Sequence, residues 1–209
     1  MRPPLPLGAI LAGGRSTRYG EPKAFATVGG RAIIQRAVDA VHAVVPDIIV
    51  IANDAEFYAA LGLPVWGDRM PGKGALGGVH TALWRAQESG RPGIVAVACD
   101  MPFVSAALLL RLLERANQSP IPDLVVPESD SRRGLEPLCA YYSVRCLPAI
   151  EQSMEQGDVR MIGFHDAVIV ARLPLSEVCA FGDPALLFLN VNTQEERTRA
   201  ELLSRGAHP

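Results

Sequence analysis

Two short apolar runs constrain the fold of this chain more than any other feature. Residues 48–53 read IIVIAN, and residues 93–100 read GIVAVACD. Neither run alternates apolar with polar residues, so each predicts a strand that is covered on both of its faces. Strands of this kind occur mainly in parallel sheets that carry helices on either side.

Short apolar runs alternate with longer amphipathic ones along the chain. In residues 31–45, for example, Ile34, Val38 and Val41 recur at helical spacings. The alternation predicts an α/β fold with three layers (α/β/α) and a mostly parallel, Rossmann-like sheet. The 209 residues predict a single domain over residues 1–209. The predicted strands are 7–12, 47–52, 64–66, 93–99, 123–126, 138–142 and 167–172, and the predicted helices are 31–45, 54–61, 75–88, 105–117, 143–155 and 193–204.

Charge and composition exclude several classes of protein. The formal net charge of −2 argues against nucleic acid or an anionic membrane as a partner, so any anionic ligand requires a local basic cluster. Prolines and glycines break the apolar N-terminal stretch, which resembles neither a membrane helix nor a signal peptide. We therefore expect a cytoplasmic protein. The four cysteines form no C-x-x-C pair and the four histidines are scattered, so we expect free thiols, buried or partly buried, rather than zinc ligands or disulfides.

Polar residues follow four successive predicted strands. Residues 13–23 follow the first strand, Asn53 the second, Asp68 the third and Asp100 the fourth. Ligands of open α/β sheets bind outside the carboxyl ends of the strands, where these residues would meet. The order of polar residues therefore predicts a ligand site at that edge.

The loop after the first strand carries two glycines and three basic residues. Gly13 and Gly14 can adopt positive φ and bring successive N–H groups close to an anion. Arg15, Arg18 and Lys23 add charge that would match phosphate oxygens. The loop matches neither a Walker A sequence nor G-x-G-x-x-G. Taken alone, it is compatible with a phosphate site or with a surface turn that carries solvated basic residues.

The same loop resembles the signature L-A-G-G-x-S-x-R-x-G-x-x-K of nucleotidyltransferases that activate sugars, polyols and pterins. Residues 71–83 (PGKGALGGVHTAL), 134–143 (GLEPLCAYYS) and 188–197 (FLNVNTQEER) resemble three further segments of the molybdenum cofactor guanylyltransferases. The likeness therefore extends over nearly the whole chain and implies the fold of the nucleotide-diphospho-sugar transferases. The signature positions are Leu11, Ala12, Gly13, Gly14, Ser16, Arg18, Gly20 and Lys23.

Four positions depart from the pattern of that family, and they concern the base pocket more than the reaction. Tyr19, Ala75, Gly77 and Gln194 stand where the family usually has Met, Pro, Ala and Pro.

The resemblance implies transfer of GMP from GTP to the terminal phosphate of molybdopterin, with or without its molybdenum, and release of pyrophosphate. It implies Mg²⁺ as the cofactor and Asp100 as the metal ligand. By the same resemblance, the catalytic residues are Arg18, Lys23 and Asp100. The nucleotide-binding residues it implies are Leu11, Ala12, Gly13, Gly14, Lys23, Asn53, Asp68 and Asp100.

Residue chemistry alone leaves several of these roles open. A carboxylate at Asp100 suits Mg²⁺, which takes oxygen ligands and often only one or two protein carboxylates. Its alternative role is to cap the next helix, for which Ser105 is better placed. Asn53 and Asp68 could contact a nucleotide or form turns and caps. Arg132 and Arg133 could hold the acceptor or lie on a solvated loop.

Two other functions compete with this interpretation. A related cytidylyltransferase acting on molybdopterin, a sugar phosphate or a polyol phosphate would share the loop and Asp100. A nucleotide-binding protein that has lost catalysis would not need a metal ligand beside the phosphate loop. We expect GTP and molybdopterin as substrates, a monomer or weak oligomer, and molybdoenzymes or proteins of the cofactor pathway as candidate partners.

Overall fold

A seven-stranded sheet forms the centre of the protein. The computed structural model describes residues 4–13, 23–132 and 134–206. Within these ranges a separate hairpin, β2 and β3, precedes the first helix. The strands are β1 (Leu7–Leu11), β2 (Thr27–Val28), β3 (Arg31–Ala32), β4 (Ile48–Ile51), β5 (Val65–Trp66), β6 (Gly93–Ala98), β7 (Leu124–Pro127), β8 (Cys139–Ser143) and β9 (Val170–Leu173).

Helices cover both faces of this sheet. They are α1 (Ile33–His42), α2 (Ala55–Tyr58), α3 (Gly74–Glu88), α4 (Ala106–Ala116), α5 (Leu147–Glu155), α6 (Leu175–Val178), α7 (Pro184–Leu187) and α8 (Gln194–Gly206). Among the residues described, none of the helices is both long and apolar enough to span a bilayer.

The strands of the sheet lie in the order β5-β4-β1-β6-β8-β7-β9. β1 pairs in parallel with β4 and β6, β4 with β5, and β7 with β9. Only β8, of the seven described strands, runs antiparallel to its neighbours, β6 and β7. The sequence prediction of a mostly parallel sheet is therefore confirmed.

The reversed direction of β8 follows from the short connection before it. Residues 128–138 join β7 to β8 without a helix, and a bridge between Glu128 and Leu135 continues the pairing beyond the strands. A parallel return would need a crossover that usually contains a helix. The polar stretch 128–136 therefore forms most of a hairpin connection.

Buried side chains on the two faces of the sheet form two separate cores. Ile10 of β1 and Val97 of β6 pack on one face, whereas Ala9 and Leu11 of β1 pack on the other. The first face is covered by α1 and α4 and the second by α3 and α5. Every residue of β1, β4 and β6 is buried, which explains why their sequences do not alternate. The three-layer prediction is thus confirmed.

Side-chain caps form at the starts of α4 and α8 but not at the start of α2. Ser105 caps α4, with its hydroxyl accepting from Leu108 N–H at 3.5 Å. Thr193 precedes α8 and accepts from Glu196 N–H at 3.1 Å, while the Glu196 carboxylate accepts from Thr193 N–H at 2.9 Å, forming a capping box. Asp54 precedes α2, but its side chain makes no capping hydrogen bond.

The expected elements are all present, with ends that differ by a few residues. The structure adds the β2–β3 hairpin and the short helices α6 and α7, which the sequence patterns did not predict. The predicted strand at 167–172 is shifted to β9, since residues 165–167 form a turn of 3₁₀-helix. One cysteine also differs from expectation, because Cys179 is exposed rather than buried or partly buried.

Candidate functional site

A cavity of about 160 Å³ lies at the carboxyl ends of β1, β4 and β6. The chain passes from β1 through α1 to β4 on one side, whereas β6 lies on the other side of β1. Such a change of direction opens a crevice at the carboxyl ends, where ligands of α/β sheets bind. The described residues that line the cavity are Leu11, Ala12, Gly13, Ala24, Ile51, Ala52, Asn53, Asp68, Gly74, Ala75, Gly78, Ala98, Cys99, Asp100, Leu138, Val191 and Asn192.

Backbone hydrogen bonds fix the start of the glycine loop between its neighbours. Ala12 N–H donates to Ile51 O at 2.9 Å, and Cys99 N–H donates to Leu11 O at 3.0 Å. The Tyr58 hydroxyl donates to Ala12 O at 3.3 Å. Burial raises the pKa of Tyr58 to about 12, so this donor stays protonated at neutral pH. Gly13 is thereby held at the cavity wall.

Asp100 lies across the cavity from β4, directly after β6. The side chain is half-buried, and the backbone carbonyl accepts from Val191 N–H at 3.0 Å. This bond brings Val191 and Asn192 to the same cavity. The neighbouring thiol of Cys99 has a pKa of about 12, raised first by burial and then by the Asp100 charge. Cys99 is therefore a neutral part of the wall at physiological pH.

Asn53 and Asp68 lie together on the opposite wall. Asn53 Oδ1 accepts from Asp68 N–H at 2.9 Å, and Asp68 Oδ1 accepts from Met70 N–H at 3.0 Å. Both side chains thus make the turn contacts that the sequence left as an alternative. They also line the cavity, so the two roles are compatible.

The amino end of α3 forms a further part of the wall. Gly74, Ala75 and Gly78 line the cavity, and Gly74 has a φ of +60°, which favours glycine. Lys73 Nζ donates to Met154 O, at the end of α5, at 3.0 Å. This lysine therefore anchors the turn before α3 to the neighbouring helix.

Charge at the described wall of the cavity is negative. Among the described lining residues, the charged side chains are Asp68 and Asp100. Gly14, Arg15 and Arg18 lie outside the described residues. Lys23 begins a short 3₁₀-helix, Lys23–Phe25, and the next residue, Ala24, lines the cavity. A polyanion in this cavity would need cations from the basic loop or from bound metal.

The oxygen atoms near Asp100 fit a hard divalent cation. Asp100 provides a carboxylate at the cavity, and Asn192 provides an amide. Asn190 Oδ1 is buried and accepts no hydrogen bond from the residues described, in a segment that Val191 ties to Asp100. Within the described ranges, no group of three or more His, Cys, Asp and Glu side chains is placed to hold a metal ion. Carboxylate and amide oxygens are ligands that Mg²⁺ accepts alongside phosphate and water.

Sequence reasoning missed several residues of the site. Leu138 reaches the cavity because β8 is reversed and begins at this edge, and Gly78 reaches it from α3. Asn192 also lines the cavity and is not among the predicted site residues. Arg132 is exposed and is not among the lining residues, while Arg133 lies outside the described residues.

The family of the chain follows from comparison with known proteins. Residues 8–168 match the MobA-like NTP transferase domain. The chain belongs to this family. It is therefore a nucleotidyltransferase, and the matched range contains most of β1, the glycine loop, Asn53, Asp68 and Asp100.

Individual members of this family resemble the chain over almost its full length. A relative from Pelotomaculum thermopropionicum named "Probable molybdenum cofactor guanylyltransferase" is 35% identical over 200 residues, which cover 96% of this chain and 94% of the relative. The structure of molybdopterin-guanine dinucleotide biosynthesis protein A from Archaeoglobus fulgidus has a TM-score of 0.76 and 25% identity, covering 96% of this chain and 99% of that one.

A more distant structure shares the fold. A Mycobacterium tuberculosis protein, solved in complex with manganese, has a TM-score of 0.65 and 18% identity, and the match covers 95% of this chain and 98% of that one.

Proposed function

We propose that this nucleotidyltransferase transfers GMP from GTP to the terminal phosphate of molybdopterin, with or without its molybdenum, and releases pyrophosphate. The observation that carries the proposal is one cavity, at the carboxyl ends of β1, β4 and β6. Gly13, Asn53, Asp68 and Asp100 all line it. The names of the Pelotomaculum and Archaeoglobus relatives support guanine as the base and molybdopterin as the acceptor.

We propose a separate role in nucleotide binding for each wall of the cavity. The loop that begins at Gly13 would hold the triphosphate through its amides, with Arg18 and Lys23 offsetting the phosphate charge. Asn53 and Asp68 would contact the base or ribose from the opposite wall. The proposed nucleotide contacts are Leu11, Ala12, Gly13, Gly14, Lys23, Asn53, Asp68 and Asp100.

Base choice has a physical rationale at Asp68. One oxygen of this carboxylate accepts from Met70 N–H, whereas the other has no hydrogen-bond donor among the described residues. Guanine presents adjacent N–H donors at N1 and N2, and cytosine presents a single amino group on its pairing edge. A carboxylate that accepts only is the better match for guanine.

The reaction needs no protein nucleophile. A terminal phosphate monoester is largely anionic at neutral pH and can attack the α-phosphorus directly, with pyrophosphate leaving in line. Two polyanions must then be aligned, and the charge that develops on the phosphoryl oxygens must be stabilised. We propose that Arg18, Lys23 and the loop amides perform both tasks.

A divalent cation, Mg²⁺ in our proposal, fits the oxygen donors at Asp100. Bound there, it would supply positive charge to the phosphates and so offset the negative wall formed by Asp68 and Asp100. Asp100 would be its ligand from this chain.

Nucleotide preference provides the direct test. The chain is mixed with Mg²⁺, molybdopterin and each of GTP, CTP, UTP and ATP, and pyrophosphate release is measured together with the dinucleotide product by mass spectrometry. We expect turnover with GTP at least about tenfold above the other three. Preference for CTP would replace guanylyl with cytidylyl transfer.

Binding is checked separately from chemistry. GTP at about one hundred times its Kd would stabilise the folded state by about 2.7 kcal/mol, which raises the melting temperature by roughly 5–10 °C for a chain of this size. A nucleotide that raises the melting temperature without any turnover would favour a binding protein that has lost catalysis.

A further inference from the structure

The Asp68 carboxylate packs against α3 at a point where a side chain is missing. A Cβ atom built on Gly77 would lie 2.9 Å from Asp68 Oδ2, 3.0 Å from Asp68 Oδ1 and 3.0 Å from the backbone oxygen of Met70. Contacts this short are rare for real Cβ atoms. The absence of a side chain at Gly77 therefore lets the turn at residues 68–70 approach the helix.

Thr81 lies four residues after Gly77 on the same face of α3, and it contacts the segment at residues 68–70. Thr81 is only 1% exposed. Thr81 Oγ1 accepts from Arg69 N–H at 3.0 Å and lies 3.3 Å from Asp68 Oδ1 and 2.9 Å from Gly77 O. The single hydroxyl proton can be donated to either oxygen, so the hydroxyl links the helix backbone to the carboxylate.

We propose that Thr81 is a positioning residue for nucleotide recognition, and that Gly77 provides the space it requires. Together they turn the Asp68 carboxylate so that Oδ1 is held by Met70 N–H and Thr81, while Oδ2, which lies beside Gly77 and has no donor among the described residues, stays available to a ligand. Thr81 itself is not among the residues that line the cavity, so it acts through Asp68.

Geometry explains why the orientation matters. Asp68 is already tied through its own N–H to Asn53 Oδ1, so its backbone cannot follow a ligand. Recognition then depends on the rotation of one short side chain, which Thr81 restrains together with Met70 N–H. A carboxylate that rotates freely would lose directed acceptance from a base or ribose donor and would weaken binding more than the chemical step.

The inference rests on the proposed role of Asp68 at the nucleotide, and a double-mutant cycle tests it. Thr81→Val keeps the β-branched shape and removes the hydroxyl, Thr81→Ser keeps the hydroxyl, and Asp68→Ala removes the carboxylate. Values of kcat and KM for the nucleotide are measured for each single variant and for Thr81→Val combined with Asp68→Ala.

We expect Thr81→Val to raise KM roughly tenfold and to change kcat by less than about threefold. Thr81→Ser should restore KM to within about threefold of the wild type. In the Asp68→Ala background, Thr81→Val should have no further effect on KM. An equal rise of KM in both backgrounds, an unchanged KM, or failure of the serine variant to restore it would overturn the proposal.

Thr198 of α8 offers a matched control. Its hydroxyl donates to Gln194 O at 2.9 Å, the same bond to the preceding helical turn that Thr81 makes with Gly77 O. Thr198→Val should leave KM unchanged, which separates loss of this backbone bond from loss of contact with Asp68. A KM rise in Thr198→Val equal to that in Thr81→Val would assign the effect to the helix and contradict the proposal.

Gly77→Ala perturbs the same carboxylate by adding a methyl group rather than by removing a hydroxyl, and it serves if Thr81→Val does not fold. The added methyl group should displace Asp68 and raise KM, again with no additional effect in the Asp68→Ala background. Additive effects would reject the positioning role.

Failure of the proposed function has a different signature. If the wild type prefers CTP, guanylyl transfer is wrong, and the same cycle is run with CTP. If no nucleotide is turned over, the Kd of each variant for the nucleotide is measured by thermal shift, and it replaces KM in the double-mutant cycle.

Discussion

The inner strands in both halves of the seven-stranded sheet are buried, but the halves differ in what they present at the cavity edge. In the half formed by β5, β4, β1 and β6, all strands point the same way, and the residues that follow them include Gly13, Asn53, Asp68 and Asp100. In the half formed by β8, β7 and β9, the described lining residue is Leu138.

The difference shows that position in the sheet and, at β8, strand direction decide where chemistry can be built, because β7 and β9 run parallel to β6 but lie farther from the crevice. Residues of β4 and β8 are buried throughout. Uniform direction collects several loops at one edge, whereas a reversed strand supplies only its first residues there. Substitutions at the cavity edge of the first half should therefore change turnover, and those away from the cavity in either half should change stability.

The largest effect is expected at Asp100. Asp100→Asn keeps the size of the side chain but removes the charge proposed to hold the metal ion, so we expect kcat/KM to fall about 100- to 1000-fold. Lys23→Ala should have an effect of the same kind, by loss of positive charge at the phosphates. Steady-state release of pyrophosphate and the melting temperature are measured on the same preparations.

Asp130→Asn is the control in the other half. Asp130 is exposed on the loop before β8, so the same chemical change should leave turnover within about twofold of the wild type. Wild-type activity in Asp100→Asn would remove the proposed role of that carboxylate.

Adding one methyl group to a glycine at each end of the first half sharpens the contrast, because Gly93 begins β6 away from the cavity and Gly13 follows β1 at the cavity. A Cβ on Gly93, where β6 meets β8, would lie 2.1 Å from the backbone oxygen of Tyr142, so Gly93→Ala should cost about 3 kcal/mol or more of stability. No described atom lies within 4 Å of a Cβ on Gly13. Gly13→Ala should therefore keep the stability and lower kcat/KM roughly tenfold, by keeping phosphates from the loop amides.

Chemical denaturation and steady-state kinetics of both variants provide the check. The prediction would be wrong if Gly13→Ala lost stability while retaining activity.

Tyr142→Phe tests whether a substitution in β8, in the second half, changes stability and leaves turnover intact. We expect a smaller effect than for Gly93→Ala. The hydroxyl of this buried tyrosine donates to Pro137 O at 2.6 Å, and its removal should cost about 1–3 kcal/mol because the carbonyl loses its donor. The kcat of the folded variant should be unchanged.

The pH dependence of stability gives a second measurement on Tyr142. Burial raises the pKa of Tyr142 well above 10, so the folded state favours the neutral hydroxyl. The contribution of this group is complete below pH 10 and is lost as the pH rises from there towards the folded pKa. The difference between wild type and Tyr142→Phe in urea should therefore shrink above pH 10, by up to about 1.4 kcal/mol per unit. A difference that stays constant to pH 11 would contradict this account.

Thiol labelling is expected to give the smallest effect. Cys179 is exposed and should react first, followed by Cys99 and then Cys139, whose side chain is fully buried. Burial raises the pKa of Cys99 to about 12, so its alkylation rate should rise about tenfold per pH unit between 7 and 10. Mg²⁺ and GTP should slow Cys99 and leave Cys139 unchanged, as measured by mass spectrometry of the peptides. Equal protection of Cys99 and Cys139 would contradict the expectation that the ligand binds against the first half of the sheet only.

Much of the fold is predictable because the buried strands are continuous apolar runs. The runs that form β4 and β6 and the helical spacing of Ile34 and Val38 are strong local signals. The β2–β3 hairpin was missed because each strand has two residues, although its turn at Gly29 and Gly30 has the positive φ values that glycine allows. Strand direction depends on the connection, so the reversal of β8 could be recognised only from the short polar segment before it.

The site was predictable where one residue follows one strand, as for Asp68 and Asp100. Contacts between distant elements were not, because Thr81 reaches Asp68 only once α3 has packed beside β5. The spacing of Gly77 and Thr81, four residues apart on one helical face, was the available signal. Nothing in the sequence indicates which loop that face will meet.

The reversal of β8 has a consequence for how such an enzyme can diversify. Because β7 ends and β8 begins at the same edge, residues 128–138 leave and re-enter the sheet beside the cavity mouth. This connection can lengthen, shorten or exchange its charges while every strand keeps its register. Changes in this single surface hairpin could therefore alter the surroundings of the cavity while the proposed nucleotide site stays unchanged.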